Sequence, residues 1–249
     1  MRTGLAPGSA ELRRIFEARE GEVLSNDTCG ASGYAPLSPT EALVLAVERF
    51  LNGPEFKKAL PDRGEDVKVF AVRQDAYFQR KDEVLAALAR RFSGAPFEVA
   101  WRLNTLDRPG CGAEGVYLVL TGTSAEDADS GQVGRGNRAN GLIAFSRPTG
   151  GEAAPGKNPV APVGKVYSVL SHRLARLINA RCPALEEVYV HLAARIGEPV
   201  DRPWTGVQVV LPEGMALSDI EAAVGDVVEH ELARLPAFRA ELVATSVVS

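Results

Sequence analysis

Cysteine, histidine, methionine and tryptophan are all scarce in this 249-residue chain, at three, three, two and two residues. The cysteines, Cys29, Cys111 and Cys182, are odd in number and lack C-x-x-C spacing. That excludes a disulfide scaffold and a zinc knuckle, and suits a reducing compartment. No apolar run approaches the roughly 18 residues of a membrane-spanning helix. The Met1–Ala10 start has no signal-peptide core, so a cytoplasmic location is expected. An excess of one charge is also missing: 28 Lys and Arg face 32 Asp and Glu, a net of −4, which leaves no electrostatic footprint for nucleic acid. The 45% hydrophobic and 24% charged fractions fit a chain that buries a core in one or two domains. Glycine and proline are plentiful, with 24 and 16 residues, so loops carry much of the chain.

Ser38-Pro39-Thr40-Glu41 has the form of a capping box with proline in the first turn, and it predicts a helix ending at Asn52-Gly53-Pro54. Leu43, Val47, Phe50 and Leu51 share one face of it. Strands are expected at Val67–Val72, Phe97–Leu103 and Val116–Leu120, where apolar residues alternate, with turn chemistry at Asp107-Arg108-Pro109-Gly110. Asp82–Phe92 reads as a short amphipathic helix. A long helix is expected from Val163 to about Arg181, with Val163, Val166, Tyr167, Leu170, Leu174, Leu177 and Ile178 at helical spacing. Strands at Glu187–Leu192 and Gly206–Leu211 follow, then a helix from Ser218-Asp219-Ile220-Glu221, a second capping box, to about Arg234. Strands interleaved with helices in short groups predict an α+β fold, each sheet with helices on one face. A division of the chain is expected near Gly110–Gly115.

From Glu126 to Pro162 neither period is present. Loops of that length inside compact domains are uncommon and are usually functional or disordered. This one is not composed like a linker. It carries Glu126-Asp127-Ala128-Asp129-Ser130, then Gly134-Arg135-Gly136-Asn137-Arg138, then Gly156-Lys157-Asn158-Pro159. Glycines let backbone amides approach an anion closely, and Arg135, Arg138, Lys157 and Lys165 supply positive charge. Carboxylates at Glu126 and Asp129 suit a hard cation such as Mg2+ bridging to phosphate oxygens. The residue types together point to a polyphosphate with a metal. The competing reading is a solvated surface loop whose charges cancel. Gly151–Asn158 nearly fits a Walker A motif, but no strand precedes it and Asn158 stands where the hydroxyl for Mg2+ belongs. We reject that motif and keep Lys157 as a phosphate ligand.

Thr121-Gly122-Thr123-Ser124-Ala125-Glu126, with Gly131–Gly141 and Gly156-Lys157-Asn158-Pro159, closely resembles archaeal-type methionine adenosyltransferase, the S-adenosylmethionine synthetases. Asn26-Asp27-Thr28 with Gly33–Ser38, and Glu187–Val190 leading to Ile196-Gly197-Glu198-Pro199, resemble further blocks of that family in the same order. The resemblance implies two of the family's three sheet-plus-helix units: a shortened central-type domain over 1–113 and a C-terminal-type domain over 114–249 with the phosphate loop 126–162. It implies synthesis of S-adenosylmethionine from ATP and L-methionine, with the displaced triphosphate cleaved to pyrophosphate and phosphate. Mg2+, K+ and an oligomer whose sites form between subunits are implied too. Asp129 would help hold metal. Gly134, Arg135, Gly136, Asn137, Arg138, Lys157 and Lys165 would line the ATP phosphates. Asn26, Asp27, Ser124 and Glu126 would lie near nucleoside and amino acid.

The departures are specific. The family's N-terminal portion, whose Gly-His-Pro-Asp loop supplies the catalytic histidine and a metal-binding aspartate, has no counterpart here. His172, His191 and His230 all stand in other contexts and read as structural. Ser130 follows Asp129 where a second aspartate is usual, Pro162 replaces a histidine, and Gln74–Lys81 stands where a further strand pair belongs. Three readings fit. The first is one subunit of a split or heteromeric methionine adenosyltransferase, with a second polypeptide supplying the missing region. The second is a stand-alone enzyme acting on a nucleotide or S-adenosylmethionine-like ligand. The third is a non-catalytic regulatory relative of a synthetase. The first is preferred. Cys29 and Trp101 read as core, and Trp204 as either core or a stacking platform.

Overall fold

The computed structural model describes residues 25, 28–60, 74–105, 107–116, 138–144, 146–150 and 163–244. In chain order the elements are β1 (Cys29–Ala35), α1 (Pro39–Asn52), α2 (Pro54–Ala59), α3 (Gln74–Arg91), α4 (Val163–Arg181), β2 (Glu187–Ala194), β3 (Trp204–Val210), α5 (Glu221–Ala233) and α6 (Leu235–Ala244). Single 3-10 turns lie at Gly112–Gly115 and Leu217–Asp219. The chain falls into two compact units, one from the stretches 1–37 and 135–249, the other from 38–134. This grouping differs from the expected division at 113/114. The reason is that β1 leaves the N-terminal stretch to pair with β2, far along the chain.

In the first unit the sheet order is β1-β2-β3, antiparallel throughout, with Gly33 opposite Val190 and Val190 opposite Val207. β2 alternates strictly. Val188, Val190, Leu192 and Ala194 are buried on one face, and Glu187, Tyr189, His191 and Ala193 are half-buried on the other. α4 lies on the buried face with Val163, Val166, Tyr167, Leu170, Leu174 and Ile178, the expected stripe except for Leu177, which is exposed. The approach is close because β1 presents small residues, Cys29, Ala31, Gly33 and Ala35, on the face of this core. A Cβ on Gly33 would meet the backbone of Ser171 and His172. Ile220, Leu235, Phe238 and Leu242 complete the same core. The fold is thus α+β, with an antiparallel sheet and helices on one of its faces.

The start of α5 departs from expectation. Ser218 is not the cap. The Asp219 carboxylate instead accepts the Ala216 N–H at 2.9 Å and opens the short 3-10 turn that precedes the helix. α6 lies beyond the expected last helix, which ends at about Arg234, and Pro236 is its second residue. It falls in the first turn, where proline's missing donor is harmless.

In the second unit the capping box at α1 is complete. The Ser38 hydroxyl accepts the Glu41 N–H at 3.2 Å, and the Glu41 carboxylate accepts the Ser38 N–H at 2.7 Å. α3 begins at Gln74, eight residues before the expected Asp82. Its first turns are tied down by tertiary bonds: Tyr77 donates to Asp107 at 2.7 Å and Lys81 to the same carboxylate at 2.9 Å. Phe97–Leu103 is not a strand. Outside any ladder, its alternate residues Trp101 and Leu103 pack, partly buried, on the Phe56, Val84 and Leu88 cluster. The alternation was real, but it marked contact with helices rather than a ladder. The expected strand Val67–Val72 and all but the first residue of Val116–Leu120 lie outside the described residues.

Candidate functional site

Of the residues expected to bind ligand, Arg138 and Lys165 lie among the described ones. Asn26, Asp27, Ser124, Glu126, Asp129, Gly134, Arg135, Gly136, Asn137 and Lys157 lie outside them. The flanks of several are nevertheless described, and they converge on β1.

The first convergence is at the N-terminal end of β1. Ser25 donates its N–H to the Glu198 carbonyl at 2.7 Å, and the Gly197 N–H returns to the Ser25 carbonyl at 2.8 Å. The Ile196 N–H reaches the Thr28 hydroxyl at 3.3 Å. Both flanks of Asn26-Asp27 are therefore held on the Arg195–Glu198 turn, where Gly197 supplies the positive φ. α4 enters the same place. The Tyr167 hydroxyl donates to the Val200 carbonyl at 2.8 Å. Burial, with the charges of Cys29, Asp201 and Glu198 around it, raises the Tyr167 pKa and keeps it a phenol. In the preceding turn Lys165 is 5% exposed. Burial lowers its pKa, because desolvation disfavours the ammonium form. A cation so placed gains from an anion brought beside it.

The second convergence is along the same strand. Arg138 donates Nη1 to the Gly150 carbonyl, so part of the guanidinium expected to face phosphate is spent on the backbone. Gly150 lies against β1: a Cβ there would stand 3.2 Å from the Ala31 Cα and from the Gly30 carbonyl oxygen. Between them Asn140 donates to the Tyr34 hydroxyl at 2.9 Å and accepts the Leu142 N–H at 3.2 Å, a local turn that buries Leu142. Arg147 stacks on Tyr34 and Tyr189, with centroid distances of 4.9 and 5.6 Å, and donates to the Tyr189 hydroxyl at 2.8 Å. Sequence reading missed Arg147. The two tyrosines that receive it are cross-strand partners, a relationship visible only once the β1–β2 register is known.

The histidines occupy other environments. His172 on α4 sets its ring edge-on to Tyr34 at 5.2 Å, and Nδ1 faces the Tyr34 N–H at 3.4 Å. Burial, with Arg176 nearby, lowers its pKa to about 4, so it is neutral at physiological pH. His191 bridges the Ser32 hydroxyl at 2.9 Å and the Gln208 side-chain amide oxygen Oε1 at 3.2 Å. His230 is exposed near the end of α5. Trp204 is 66% exposed on the sheet face away from α4, its ring lying over Gly206. Trp101 packs in the second unit as expected, and Cys29 is half-buried against the core. That unit also holds a cavity of about 540 Å³ lined by Phe50, Phe56, Leu60, Ala87, Arg90 and Arg91, and no expected ligand residue lines it. Among the described residues no three His, Cys, Asp or Glu are grouped to hold a metal ion, so the expected Mg2+ site rests on Asp129, outside them. No described helix is long and apolar enough to cross a membrane.

Segments far apart in sequence thus meet along one strand: Ser25 and Thr28, 138–144 with 146–150, 163–167 and 195–200. The S-adenosylmethionine synthetase (AdoMet synthetase) family profile matches residues 1–246. The chain belongs to this family. It is 39% identical to an S-adenosylmethionine synthase of Methanothermobacter marburgensis, over 95% of this chain and 64% of the relative. It is 44% identical to one of Aeropyrum pernix over 79% of this chain and 53% of the relative. A third, of Thermococcus onnurineus, is 41% identical over 87% and 59%. The chain therefore spans roughly three-fifths of the length of these relatives.

Proposed function

We propose that these residues form the triphosphate-cradling part of a methionine adenosyltransferase, a transferase that joins ATP and L-methionine into S-adenosylmethionine. The observation that carries the reading is the convergence at β1. The flanks of Asn26-Asp27, the turn of α4 bearing Lys165 and the Ile196–Pro199 block are held together by the bonds of Ser25, Thr28 and Tyr167. In-line attack of the methionine sulfur on the ribose C5′ expels a triphosphate. The protein's task is then to hold the reactants in line and neutralise the leaving group. Lys165, Arg135 and Lys157 are assigned to the phosphates, with Arg138 contributing the donors not spent on Gly150. Gly134, Gly136 and Asn137 would offer backbone or amide donors. Asn26, Asp27, Ser124 and Glu126 are assigned to nucleoside and amino acid. Mg2+ at Asp129 would supply charge neutralisation between phosphate oxygens.

Within this reading the chain is one member of a hetero-oligomer. His172 is neutral and turned to Tyr34, and His191 is engaged by Ser32 and Gln208. Neither suits the role of the family's catalytic histidine, which we assign to a second polypeptide carrying a Gly-His-Pro-Asp loop. The pure chain incubated with ATP, L-methionine, Mg2+ and K+ is expected to give no S-adenosylmethionine by mass spectrometry. Adding a polypeptide with that loop is expected to restore it, and not with Lys157→Ala. Turnover by the pure chain well above the Lys157→Ala control would sink the split reading and favour a stand-alone enzyme. No turnover with either would favour a regulatory relative.

A further inference from the structure

We propose that the Ser168 hydroxyl binds a phosphate oxygen beside Lys165, an inference that rests on reading Lys165 as a phosphate ligand. The opening of α4 is buried on every side: Val163, Gly164, Lys165, Val166, Tyr167 and Ser168 are all covered. Polar side chains in such a place need partners, because a hydroxyl buried without one costs free energy. Tyr167 has the Val200 carbonyl. Ser168 is 6% exposed, and its Oγ has no hydrogen-bond partner among the described residues. Its own helix offers one. A helical serine can turn its hydroxyl back onto a carbonyl three or four residues earlier. Ser171, one turn on and fully buried, does so with the Ser168 carbonyl at 3.1 Å. The same kind of local bond lies within reach of Ser168, and its hydroxyl does not take it.

Along the helix, the polar neighbour of this hydroxyl is Lys165. Residues three apart share a helix face, and helical side chains lean towards the N-terminus, over the turn before their own. Ser168 therefore extends over the turn that carries Lys165, which is buried as well at 5% exposure. A hydroxyl and an ammonium side by side are two donors, and an anionic oxygen accepts from both at once. Phosphate suits the pair, since its oxygens take several donors and desolvated donors hold it more strongly than exposed ones. A position that asked only for a small side chain would be served better by alanine, which has the higher helix propensity and leaves nothing unpaired. Serine here lowers the stability of the ligand-free chain and recovers that loss when the anion is bound.

The test separates binding from folding. Binding of inorganic tripolyphosphate with Mg2+ is measured by calorimetry on the full chain as wild type, Ser168→Ala, Lys165→Gln and the double variant. Urea unfolding is followed on each without ligand. Ser168→Ala is expected to weaken binding about tenfold, as loss of a hydrogen bond to a charged group does, while the ligand-free urea midpoint stays level or rises. A serine with a purely structural role would not separate the two readouts in that way. In the Lys165→Gln background the same substitution is expected to cost clearly less, because two donors to one phosphate are coupled. Unchanged affinity in Ser168→Ala, a fall in its urea midpoint, or an equal loss of affinity in both backgrounds would overturn the proposal. Should Lys165→Gln not fold, Ser168→Ala decides alone by the first two of these readouts. If the wild type binds no tripolyphosphate, or Lys165→Gln binds it equally well, the phosphate reading of Lys165 fails and the Ser168 proposal with it. Wild-type binding that Lys165→Gln weakens and Ser168→Ala leaves intact rejects Ser168 only.

Discussion

A Cβ placed on Gly33 would stand 2.2 Å from the backbone nitrogen of His172, inside any permissible contact between non-bonded atoms. The crossing of β1 and α4 therefore uses the absence of a side chain as its packing surface. Gly33→Ala must push helix from strand, since the obstructing atoms are backbone and cannot rotate away. The expected loss is at least about 3 kcal/mol in urea unfolding, beyond the usual range for an added methyl in a core. Gly30, three residues earlier, has open space at its Cβ position. Gly30→Ala is expected to change stability by less than about 1 kcal/mol, and equal effects at the two sites would contradict this account.

The His172 imidazole gives stability a defined pH dependence. Its folded-state value of about 4 lies below the ordinary 6.5. Between those values the unfolded chain takes up a proton that the folded chain does not, so stability is full above pH 6.5 and is lost as pH falls towards 4. The total is about 3 kcal/mol at about 1.4 kcal/mol per unit. Urea midpoints measured from pH 7 to 4 should show this fall, and His172→Gln should flatten it. A slope unchanged by that substitution would assign the effect to other groups.

Two carboxylates facing the same arginines should differ sharply. Glu231 and Glu241 both pair with Arg173, at 2.6 and 2.9 Å, and both approach Arg234 at 3.6 Å. The Glu231 side chain is 5% exposed and that of Glu241 45%. Glu231→Gln removes the buried carboxylate of the pair, leaving Arg173 only the exposed Glu241 as charge partner, and is expected to lower stability by about 2 kcal/mol. Glu241→Gln removes a solvent-screened pair and should cost less than about 0.5 kcal/mol. Thermal unfolding of the two variants side by side decides it.

Much of the framework was legible where local chemistry decides. Ser38 and Glu41 satisfy each other across four residues, so α1 could be read directly. The stripe of α4 and the alternation of β2 are also local patterns, bounded by the core they meet. Legibility failed where a distant residue settles the outcome. Tyr77 and Lys81 extend α3 because Asp107 is there to receive them, and Trp101 alternates without a strand partner among the described residues. At the candidate site, the buried Lys165 and the flanks of Asp27 were indicated by composition and by the family's blocks. Arg147 was not, because Tyr34 and Tyr189, the rings it meets, lie opposite each other only once β1 pairs with β2. Arg138 was read as a phosphate ligand, and nothing local announces its bond to Gly150.

The pairing of β1 with β2 also sets a schedule for biosynthesis. Ser32 and His191 are 159 residues apart. At about 5–20 residues per second, β1 emerges from a ribosome roughly 10–30 seconds before its partner strand exists. Throughout that interval the whole stretch 38–134 is available to collapse on its own, while an alanine- and glycine-rich strand waits. Ribosome-stalled chains ending near residue 160 should leave β1 open to protease, and chains ending well beyond β3 should protect it. Protection already present in the shorter chains would mean that another partner holds the strand first. A low content of bulky apolar residues in β1 then has a second use: during the wait it offers little for another nascent chain to stick to.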